Sequence, residues 1–429
     1  MKVAIVSNYL PKYHRIWSGA EIIAVTLADI LKSKKCEVFF ITLPFDFEVA
    51  DYDYKVYSIK ASLQKLGTVS RNFPLDISAI INVYRKLKQE KPDIVHINAK
   101  YLFIPTMIAC NILKIPALFT VPDYFILCPT MTLRKTDNTI CRKKQGFHCY
   151  QCITSLTSGT HGGITDALHG LIKMVPKLLL GIPFYIRAKV FNCFINKVDA
   201  FVVLSNSSMN RLIDYGIPKE KVNQIYHYKL GMPKETNEKI TNPSVLFAGK
   251  FSRENGTDIL LEAFSETAKK IANAKLYLVG WPDESFREEM EDKIATLDIK
   301  DSVIILGKRD NAEILSLISK CDTVVVPHQW PKEFGPVILI EALAMGKPVV
   351  TSMIGGTDEF ISNGENGFLV ENYKNPGAFS EKMVYLLSDT SKAEEMGEKG
   401  KMKISFLFGE DSSNAMISLY NKFKGKRIC

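Results

Sequence analysis

Two glutamates, Glu333 and Glu341, follow a short apolar run that ends at Pro327. The first falls in the loop after that run, and the second falls inside the next helical pattern. In parallel α/β folds such loops and helix starts meet at the carboxyl edge of the sheet, where phosphorylated ligands bind. Carboxylates at that edge are suited to accept hydrogen bonds from the hydroxyl groups of a ribose or a hexose. The alternative is that Glu333 is a solvated loop residue and that Glu341 pairs with a neighbouring cation.

Four cysteines form a second group, in a loop-like stretch rich in basic and turn residues: Cys128, Cys141, Cys149 and Cys152. Thiolates are soft ligands, and the terminal C-x-x-C supplies a tight two-ligand turn, so the spacing predicts a tetrahedral structural zinc site. Free or redox-active thiols and two disulfides are the alternatives. Disulfides fit poorly, because the nine cysteines are an odd number and the start of the chain has no export-signal pattern.

The elements that position these residues are short apolar runs that alternate with segments of helical period, which is typical of parallel α/β architecture. The predicted strands are Val3–Ser7, Val38–Leu43, Ile94–Ile97, Ala117–Val121, Ala200–Ser205, Ser244–Ala248, Lys275–Val279, Val303–Leu306, Thr323–Val326 and Pro348–Thr351. The predicted helices are Glu21–Ser33, Ile77–Gln89, Tyr101–Ile112, Ser207–Tyr215, Gly256–Ala272, Glu284–Leu297, Asn311–Ser319, Val337–Met345 and Asp411–Lys424.

Two such series of similar size predict two Rossmann-like domains, because 429 residues are too many for one compact core. The first domain is expected over 1–230, with the cysteine-bearing insertion at 125–155, and the second over 240–409. Residues 410–429 are expected to form a C-terminal helix that crosses back to the first domain.

Composition and charge exclude several classes of protein. With 46% hydrophobic and 24% charged residues the chain matches ordinary globular proteins, which excludes a disordered chain, a coiled-coil rod and a small disulfide scaffold. No stretch approaches about eighteen uninterrupted apolar residues, so no membrane-spanning helix is expected. The net charge is +9, and between Met131 and Lys197 ten Lys or Arg residues stand against two Asp. This basic stretch has no nucleic-acid-binding motif, so no nucleic-acid partner is expected.

The segment from Val324 to Val370 resembles the retaining family 4 glycosyltransferases of the GT-B fold, in which two Rossmann-like domains with parallel sheets face each other across a cleft. Glu333 and Glu341 match the spacing of that family's signature glutamate pair. The other segments that match the family, in the right order, are Ser18–Glu21 (SGAE), Lys91–His96 (KPDIVH), Asp199–Ser205 (DAFVVLS), Phe247–Lys250 (FAGK), Asn255–Phe264, Ala342–Val350 (ALAMGKPVV), Gly355–Glu359 and Asn363–Val370 (NGENGFLV). The four-cysteine insertion also resembles one found in a subset of the family.

The resemblance implies a role for each matching residue. Glu341 would bond the ribose hydroxyls of a nucleotide, and Glu333, as the catalytic residue, would contact the donor sugar beside the reacting carbon. The segment that would hold the sugar or its phosphate consists of Phe334, Gly335, Pro336 and Val337. The other donor-binding residues, around the diphosphate, would be Gly19, Gly249, Lys250, Arg253 and Asn255.

Three positions depart from the family pattern. Asn255 stands where the family usually has a second basic residue for the diphosphate, and Arg253 would compensate for the missing charge. Pro122 occupies a place where the family often has His, and its side chain has no hydrogen bond to offer a sugar. Phe334 lies one residue closer to Glu333 than usual. These departures would affect the rate of the reaction and the choice of donor more than the fold of the chain.

The resemblance implies a retaining hexosyltransferase of polysaccharide biosynthesis that needs no cofactor for catalysis. Its substrates would be a nucleotide diphosphate sugar and a hydroxyl acceptor, either a glycan or a polyprenyl-linked saccharide. Since no enzyme nucleophile is evident, the implied route is a front-face displacement assisted by the leaving diphosphate. The alternatives are a sugar-nucleotide-binding protein without transferase activity and a GT-B epimerase or phosphorylase.

The basic stretch also predicts an anionic or membrane-borne acceptor. It falls in the half of the chain that the family uses for acceptor binding, and Leu171–Phe194 interleaves cations with apolar residues as an interfacial helix would. Those cations are Lys173, Lys177, Arg187 and Lys189. We therefore expect a cytoplasmic protein with peripheral contact at the inner face of the membrane. The alternative is that the apolar residues pack on the first domain and the cations are its solvated face.

Overall fold

The computed structural model describes residues 1–11, 13–14, 19–47, 53–63, 75–133, 135, 139–152, 177–226, 238–282, 286–330, 337–408 and 410–425. The chain divides into two compact units. The first comprises Met1–Lys229 together with Gly409–Cys429, and the second comprises Leu230–Phe408. Each unit has its own parallel sheet and its own hydrophobic core.

The first unit contains a sheet of seven strands among its described residues. They are β1 (Lys2–Ser7), β2 (Glu37–Thr42), β3 (Lys55–Ser58), β4 (Ile94–Asn98), β5 (Ala117–Thr120), β6 (Ala200–Val203) and β7 (Val222–Gln224). The helices that connect them are α1 (Gly19–Ser33), α2 (Ile77–Glu90), α3 (Phe103–Leu113), α4 (Lys177–Ile195) and α5 (Asn206–Tyr215). The strand order is β3-β2-β1-β4-β5-β6-β7, and every neighbouring pair is parallel.

Burial on both faces explains why the strands of this sheet are apolar runs without alternation. In β1, Val3 and Ile5 contribute to one hydrophobic core, whereas Ala4 and Val6 contribute to the core on the opposite face. Successive side chains of a strand point to opposite faces, so both sets must be apolar when helices cover both faces.

The second unit contains a parallel sheet of six strands among its described residues. They are β8 (Ser244–Ala248), β9 (Lys275–Val279), β10 (Val303–Gly307), β11 (Thr323–Val326), β12 (Val349–Ser352) and β13 (Gly367–Val370). The helices are α6 (Thr257–Ala268), α7 (Arg287–Thr296), α8 (Asn311–Lys320), α9 (Val337–Ala344), α10 (Pro376–Ser388) and α11 (Thr390–Lys403). The order β10-β9-β8-β11-β12-β13 reverses direction at β8, and a reversal of this kind marks a ligand-binding crevice in open α/β sheets.

The last helix, α12 (Glu410–Asn421), belongs to the first unit. Its residues Met416, Leu419 and Tyr420 are buried in the core on one face of that unit's sheet. The hydroxyl group of Tyr420 lies 2.5 Å from Nδ1 of His96 on β4, and Nε2 of His96 lies 2.6 Å from Oγ1 of Thr120 on β5. This buried chain of hydrogen bonds fixes the C-terminal helix against the sheet.

The predicted parallel α/β architecture is confirmed, and each predicted strand is present within one or two residues of its expected bounds. The prediction missed the strands β3, β7 and β13 and the helices α10 and α11. The stretch between the two expected domains, from 230 to 240, lies mostly outside the described residues.

Candidate functional site

The loop after β8 holds four of the predicted donor-binding residues at the carboxyl edge of the second sheet. It runs from Gly249 to Gly256, directly before α6. Asn255 Nδ2 donates a 2.7 Å hydrogen bond to the carbonyl oxygen of Lys250, and Asn255 N donates to Oγ of Ser252 at 3.2 Å. Asn255 therefore closes the loop on itself, while the Lys250 side chain is exposed at the loop surface.

Gly256 ends this loop in a conformation that requires glycine. Its φ is +72°, and a Cβ atom built on it would lie 1.8 Å from the carbonyl oxygen of Pro327, just after β11. The loop after β8 and the end of β11 are therefore packed backbone against backbone. This close approach brings the start of α6 to the same edge of the sheet as the end of β11.

Arg253, the residue expected to compensate for Asn255, is paired with a carboxylate. Its guanidinium donates to both carboxylate oxygens of Glu289 on α7, with Nη2–Oε2 at 2.7 Å and Nε–Oε1 at 3.2 Å. The hydrogen bonds with Glu289 raise the pKa of Arg253. A diphosphate would therefore have to compete with Glu289 for this cation.

Glu341 is the fifth of the eight residues of α9 and is only 4% exposed. Its Oε1 accepts a 2.8 Å hydrogen bond from Nδ2 of Asn311, the first residue of α8. A buried carboxylate needs hydrogen-bond donors, and Asn311 supplies one. The sequence analysis did not identify Asn311 as a site residue.

A capping box at the start of α8 holds Asn311 in place. The side chain of Asp310 accepts from the backbone N–H of Glu313 at 2.8 Å, and the Glu313 side chain accepts from the backbone N–H of Asp310 at 3.1 Å. This reciprocal pair satisfies two N–H groups of the helix start. The D-x-x-E pattern in the sequence therefore marks where α8 begins, but it does not reveal the contact with Glu341.

The loop expected to carry the sugar-contacting residues is only partly described. Glu333, Phe334, Gly335 and Pro336 lie outside the described residues. Val337 is the first residue of α9 and is half-buried.

In the first unit, Gly19 is the first residue of α1, which follows β1. Asn98, at the carboxyl end of β4, donates from Nδ2 to the carbonyl oxygen of Ala20 at 2.6 Å. Its Oδ1 is buried and has no hydrogen-bond partner among the described residues. Lys100 and Asp123 form an ion pair at the same edge, after β4 and β5. Polar groups are thus gathered at the carboxyl edge of this sheet as well.

The structure brings the four predicted metal ligands to one small cavity, which is lined by Cys128, Cys141, Cys149 and Cys152 together with His148. Cys149 Sγ accepts a hydrogen bond from Gly146 N at 3.4 Å, and burial raises the pKa of this thiol to about 11. No disulfide joins the described cysteines. Within the described ranges, no three His, Cys, Asp or Glu side chains are arranged to hold a metal ion, and the zinc site stays a prediction.

The helix expected to contact a membrane, α4, is partly packed against the cysteine-bearing segment. A Cβ atom at Gly181 would lie 2.4 Å from the ring of Phe147, so the two elements are in close contact. Arg187 is buried, where it donates to Oε1 of Gln145 and the carbonyl oxygen of Phe125. The expectation that Arg187 faces a membrane is therefore wrong.

Of the other three expected cations on this segment, Lys189 is exposed, whereas Lys173 and the side chain of Lys177 lie outside the described residues. No helix in the described ranges has the length and apolar character needed to cross a bilayer.

Comparison with known families assigns one family model to each half of the chain. The model described as "Glycosyl transferases group 1" matches residues 232–403. The model described as "Glycosyltransferase Family 4" matches residues 17–129. The first match lies in the second unit, and the other lies in the first unit.

Curated relatives match part of the chain. Spore coat protein SA of Bacillus subtilis is 28% identical over 183 residues, which is 42% of this chain and 48% of the relative. N-acetyl-alpha-D-glucosaminyl L-malate synthase of Bacillus anthracis is 24% identical over 236 residues, 53% of this chain and 59% of the relative. The matches thus span about half the length of these relatives.

Solved structures match almost the whole chain at low identity. HepE of Anabaena in complex with UDP superposes with a TM-score of 0.66 and 19% identity, and the match covers 98% of this chain and 100% of that one. A glycosyltransferase of Rickettsia africae gives a TM-score of 0.66 at 18% identity, with 99% of each chain covered. At this identity the match establishes the fold, and the predicted GT-B class is confirmed.

Proposed function

Since the chain belongs to the glycosyltransferases that these two family models describe, we propose that it transfers a hexose from a nucleotide diphosphate sugar to a hydroxyl acceptor, with retention at the anomeric carbon. The observation that carries the proposal is the buried carboxylate of Glu341, held by Asn311 at the carboxyl edge of the second sheet. A buried acceptor in this position is suited to the paired hydroxyls of a ribose.

The diphosphate would lie at the loop between Gly249 and Gly256. The start of α6 offers the positive end of a helix dipole, which favours an anion. Lys250 adds an exposed cation beside it. Such charge is useful in catalysis, because the leaving diphosphate becomes more negative as the glycosidic bond breaks. Gly19, at the start of α1 in the first unit, stays a predicted donor-binding residue.

The sugar would lie at the loop before α9. There Glu333 would bond the sugar hydroxyls beside the reacting carbon, and the segment from Phe334 to Val337 would hold the sugar or its phosphate. In the transfer step the C1–O bond to the diphosphate breaks, and a C1–O bond to the acceptor oxygen forms on the same face. The acceptor proton passes to an oxygen of the departing diphosphate, so no enzyme nucleophile or metal cofactor is required.

The HepE structures with UDP and with UDP-glucose make UDP-glucose a reasonable first donor to test on this chain. The names of the relatives, such as N-acetyl-alpha-D-glucosaminyl L-malate synthase and lipopolysaccharide 1,2-N-acetylglucosaminetransferase, do not point to one common acceptor. The acceptor must therefore be found by experiment.

A saccharide at a membrane surface is the acceptor class that we propose first. On α4, Ile182, Tyr185 and Ile186 are exposed, and the Lys189 ammonium lies 5.3 Å from the ring centroid of Tyr185. Residues at this spacing share one face of a helix. An exposed apolar face with a cation at its border is suited to the interface of an anionic bilayer, where a polyprenyl-linked saccharide would be presented.

A sugar-nucleotide-binding protein without transferase activity is the second candidate. Two observations favour it. Asn255 carries no charge and its side chain bonds within its own loop, and Arg253 is paired with Glu289, so fewer cations face the departing diphosphate. An epimerase or a phosphorylase of the same fold is the third candidate. The reaction products distinguish the three candidate functions.

The test is the release of nucleoside diphosphate by purified protein from a panel of nucleotide sugars, with and without glycan acceptors. We expect turnover with at least one donor, and a product whose anomeric configuration equals that of the donor. Glu333→Gln and Glu333→Ala should both abolish most turnover while nucleoside diphosphate still binds. Binding without release from any donor would favour the non-catalytic candidate, and full turnover in both variants would remove Glu333 from the catalytic role.

A further inference from the structure

A cavity lies at the amino edge of the first sheet, whereas the predicted donor-binding residue Gly19 follows the carboxyl end of β1. The cavity is found where α2 ends before β4 and where α3 ends before β5. Its volume is about 400 Å³, which is within the range of small-molecule sites. The apolar part of its lining consists of Leu87, Pro92, Leu113, Ile115 and Pro116. A ligand of the size of a sugar or a lipid headgroup fits such a volume.

Three lysines line this cavity together with one acidic residue. The lysines are Lys88, Lys91 and Lys114, all exposed, and the acidic residue is Asp93. Oδ2 of Asp93 already accepts a 2.7 Å hydrogen bond from the backbone N–H of Lys2. Among the described residues of the lining, cations therefore outnumber carboxylates three to one, and a concave surface of one charge sign attracts the opposite charge.

Glu90, one residue before Lys91, has its negative charge balanced by other groups. Its carboxylate lies 2.8 Å from Nζ of Lys2 and 2.9 Å from Nζ of Lys55. Hydrogen bonds from Lys2, Tyr57 and Lys55 lower the pKa of Glu90 to about 2. The positive charge around the cavity is therefore not cancelled by this neighbouring carboxylate.

Two of the three lysines hold a backbone conformation that favours glycine. Lys91 has φ +48° and Lys114 has φ +55°, and each directly follows the helix that it caps. After α5 the equivalent left-handed position is occupied by Gly216. The helix dipole favours a cation at one helix end, but here two such lysines line the same cavity. Residues kept in a costly backbone conformation are often found at functional sites.

We propose that this cavity binds a phosphate monoester, either a free sugar phosphate or the headgroup of phosphatidic acid. A phosphate monoester carries between one and two negative charges at pH 7, which suits the excess of cations in the lining. Its oxygens would accept charge-assisted hydrogen bonds from Lys88, Lys91 and Lys114, and its sugar or glycerol part would lie on the apolar lining. The site uses none of the predicted donor-binding residues, so it does not depend on the proposed function.

Two probes on the full-length protein distinguish the sources of the phosphate: calorimetry with glucose 6-phosphate, and sedimentation with phosphatidylcholine vesicles that contain phosphatidic acid. The double variant Lys91→Gly, Lys114→Gly removes two cations, and its melting temperature should not fall because glycine is favoured at both φ values. It should bind the responding probe about tenfold more weakly, the order of one lost charged hydrogen bond. Lys91→Arg, Lys114→Arg keeps both charges and should stay within about threefold of wild type.

Lys269→Met, Lys270→Met is the matched control, since it removes two exposed cations just after the end of α6, outside the cavity. This variant should bind like wild type. Binding of glucose 6-phosphate alone would support a soluble ligand, and binding of the vesicles alone would support a lipid headgroup. Unchanged binding in the double glycine variant, or no binding of either probe by wild type, would overturn the inference and leave the proposed function standing.

Discussion

The side-chain amide of Asn311 donates a 2.8 Å hydrogen bond to Oε1 of Glu341, joining the start of α8 to a buried carboxylate on α9. The two residues are thirty positions apart in the sequence. The contact orients the carboxylate of Glu341. Asn311 is therefore a positioning residue for the proposed ribose site.

Replacing Asn311 should weaken nucleotide binding. A hydrogen bond to a charged group contributes about 1.5–3 kcal/mol, so Asn311→Ala should lower nucleoside diphosphate affinity at least tenfold in calorimetry. Asn242→Ala, at an exposed site where Nδ2 donates to the carbonyl oxygen of Asn273, is the control and should bind like wild type. Equal affinity in both variants would mean that the orientation of Glu341 does not matter for binding.

Gly256→Ala should strongly lower the thermal stability. Alanine at φ +72° costs about 1–3 kcal/mol, and here its Cβ would also overlap the Pro327 carbonyl oxygen. Gly364 provides the matched control, since its φ is +81° and nothing lies within 4 Å of an added Cβ. Gly364→Ala should therefore show only the conformational cost. Similar melting temperatures for the two variants would contradict the close packing of the loop after β8 against β11.

The sequence spacing of the four cysteines predicts a bound metal. Protein purified without chelator should contain about one zinc ion per chain, the stoichiometry of a four-thiolate structural site. The double variant Cys149→Ser, Cys152→Ser should lose the metal and make the segment protease-sensitive, because binding energy at such a site is folding energy. Cys36→Ser, Cys193→Ser, outside the cavity, should keep it. Metal analysis of the wild type that finds no stoichiometric zinc or iron would refute the site.

The exposed face of α4 predicts binding to anionic membranes. In sedimentation with vesicles, binding should rise with the fraction of anionic lipid and fall with salt, because each cation near such a surface contributes about 1 kcal/mol. The variant Tyr185→Ser, Ile186→Ser should bind less, while Met402→Ser, a change at a 65% exposed residue of the second unit, should not. Protein that stays in the supernatant with anionic vesicles at low salt would direct the search to soluble saccharide acceptors.

The strands were predictable where they are buried on both faces. β8, β9 and β11 have the expected bounds. A continuous apolar run between turn residues is typical of a strand that is covered on both faces of a parallel sheet. Two of the missed strands lack that signal, whereas β13 is mostly buried. β3 is a partly exposed edge strand, and β7 has only three residues at the other edge of the sheet.

The predictable part of the site is the part that local sequence encodes. The glycine loop after β8 and the position of Glu341 on a helix follow from nearby residues. The contacts of Glu341 with Asn311 and of Arg253 with Glu289 join residues that are far apart in the sequence, so neither follows from a local pattern. The burial of Arg187 does not follow from a local pattern either, because its partners Gln145 and Phe125 come from other segments of the chain.

The most direct test of the account is the thermal shift produced by a nucleoside diphosphate in wild type, Glu341→Ala and Glu371→Ala. A ligand at about 100 times its Kd stabilises the folded protein by about 2.7 kcal/mol, which raises Tm by several degrees. Glu371 is exposed after β13, so its variant removes the same charge outside the site. We expect a large shift for wild type and Glu371→Ala and little or none for Glu341→Ala. Equal shifts in all three proteins would contradict the claim that the nucleotide binds at Glu341.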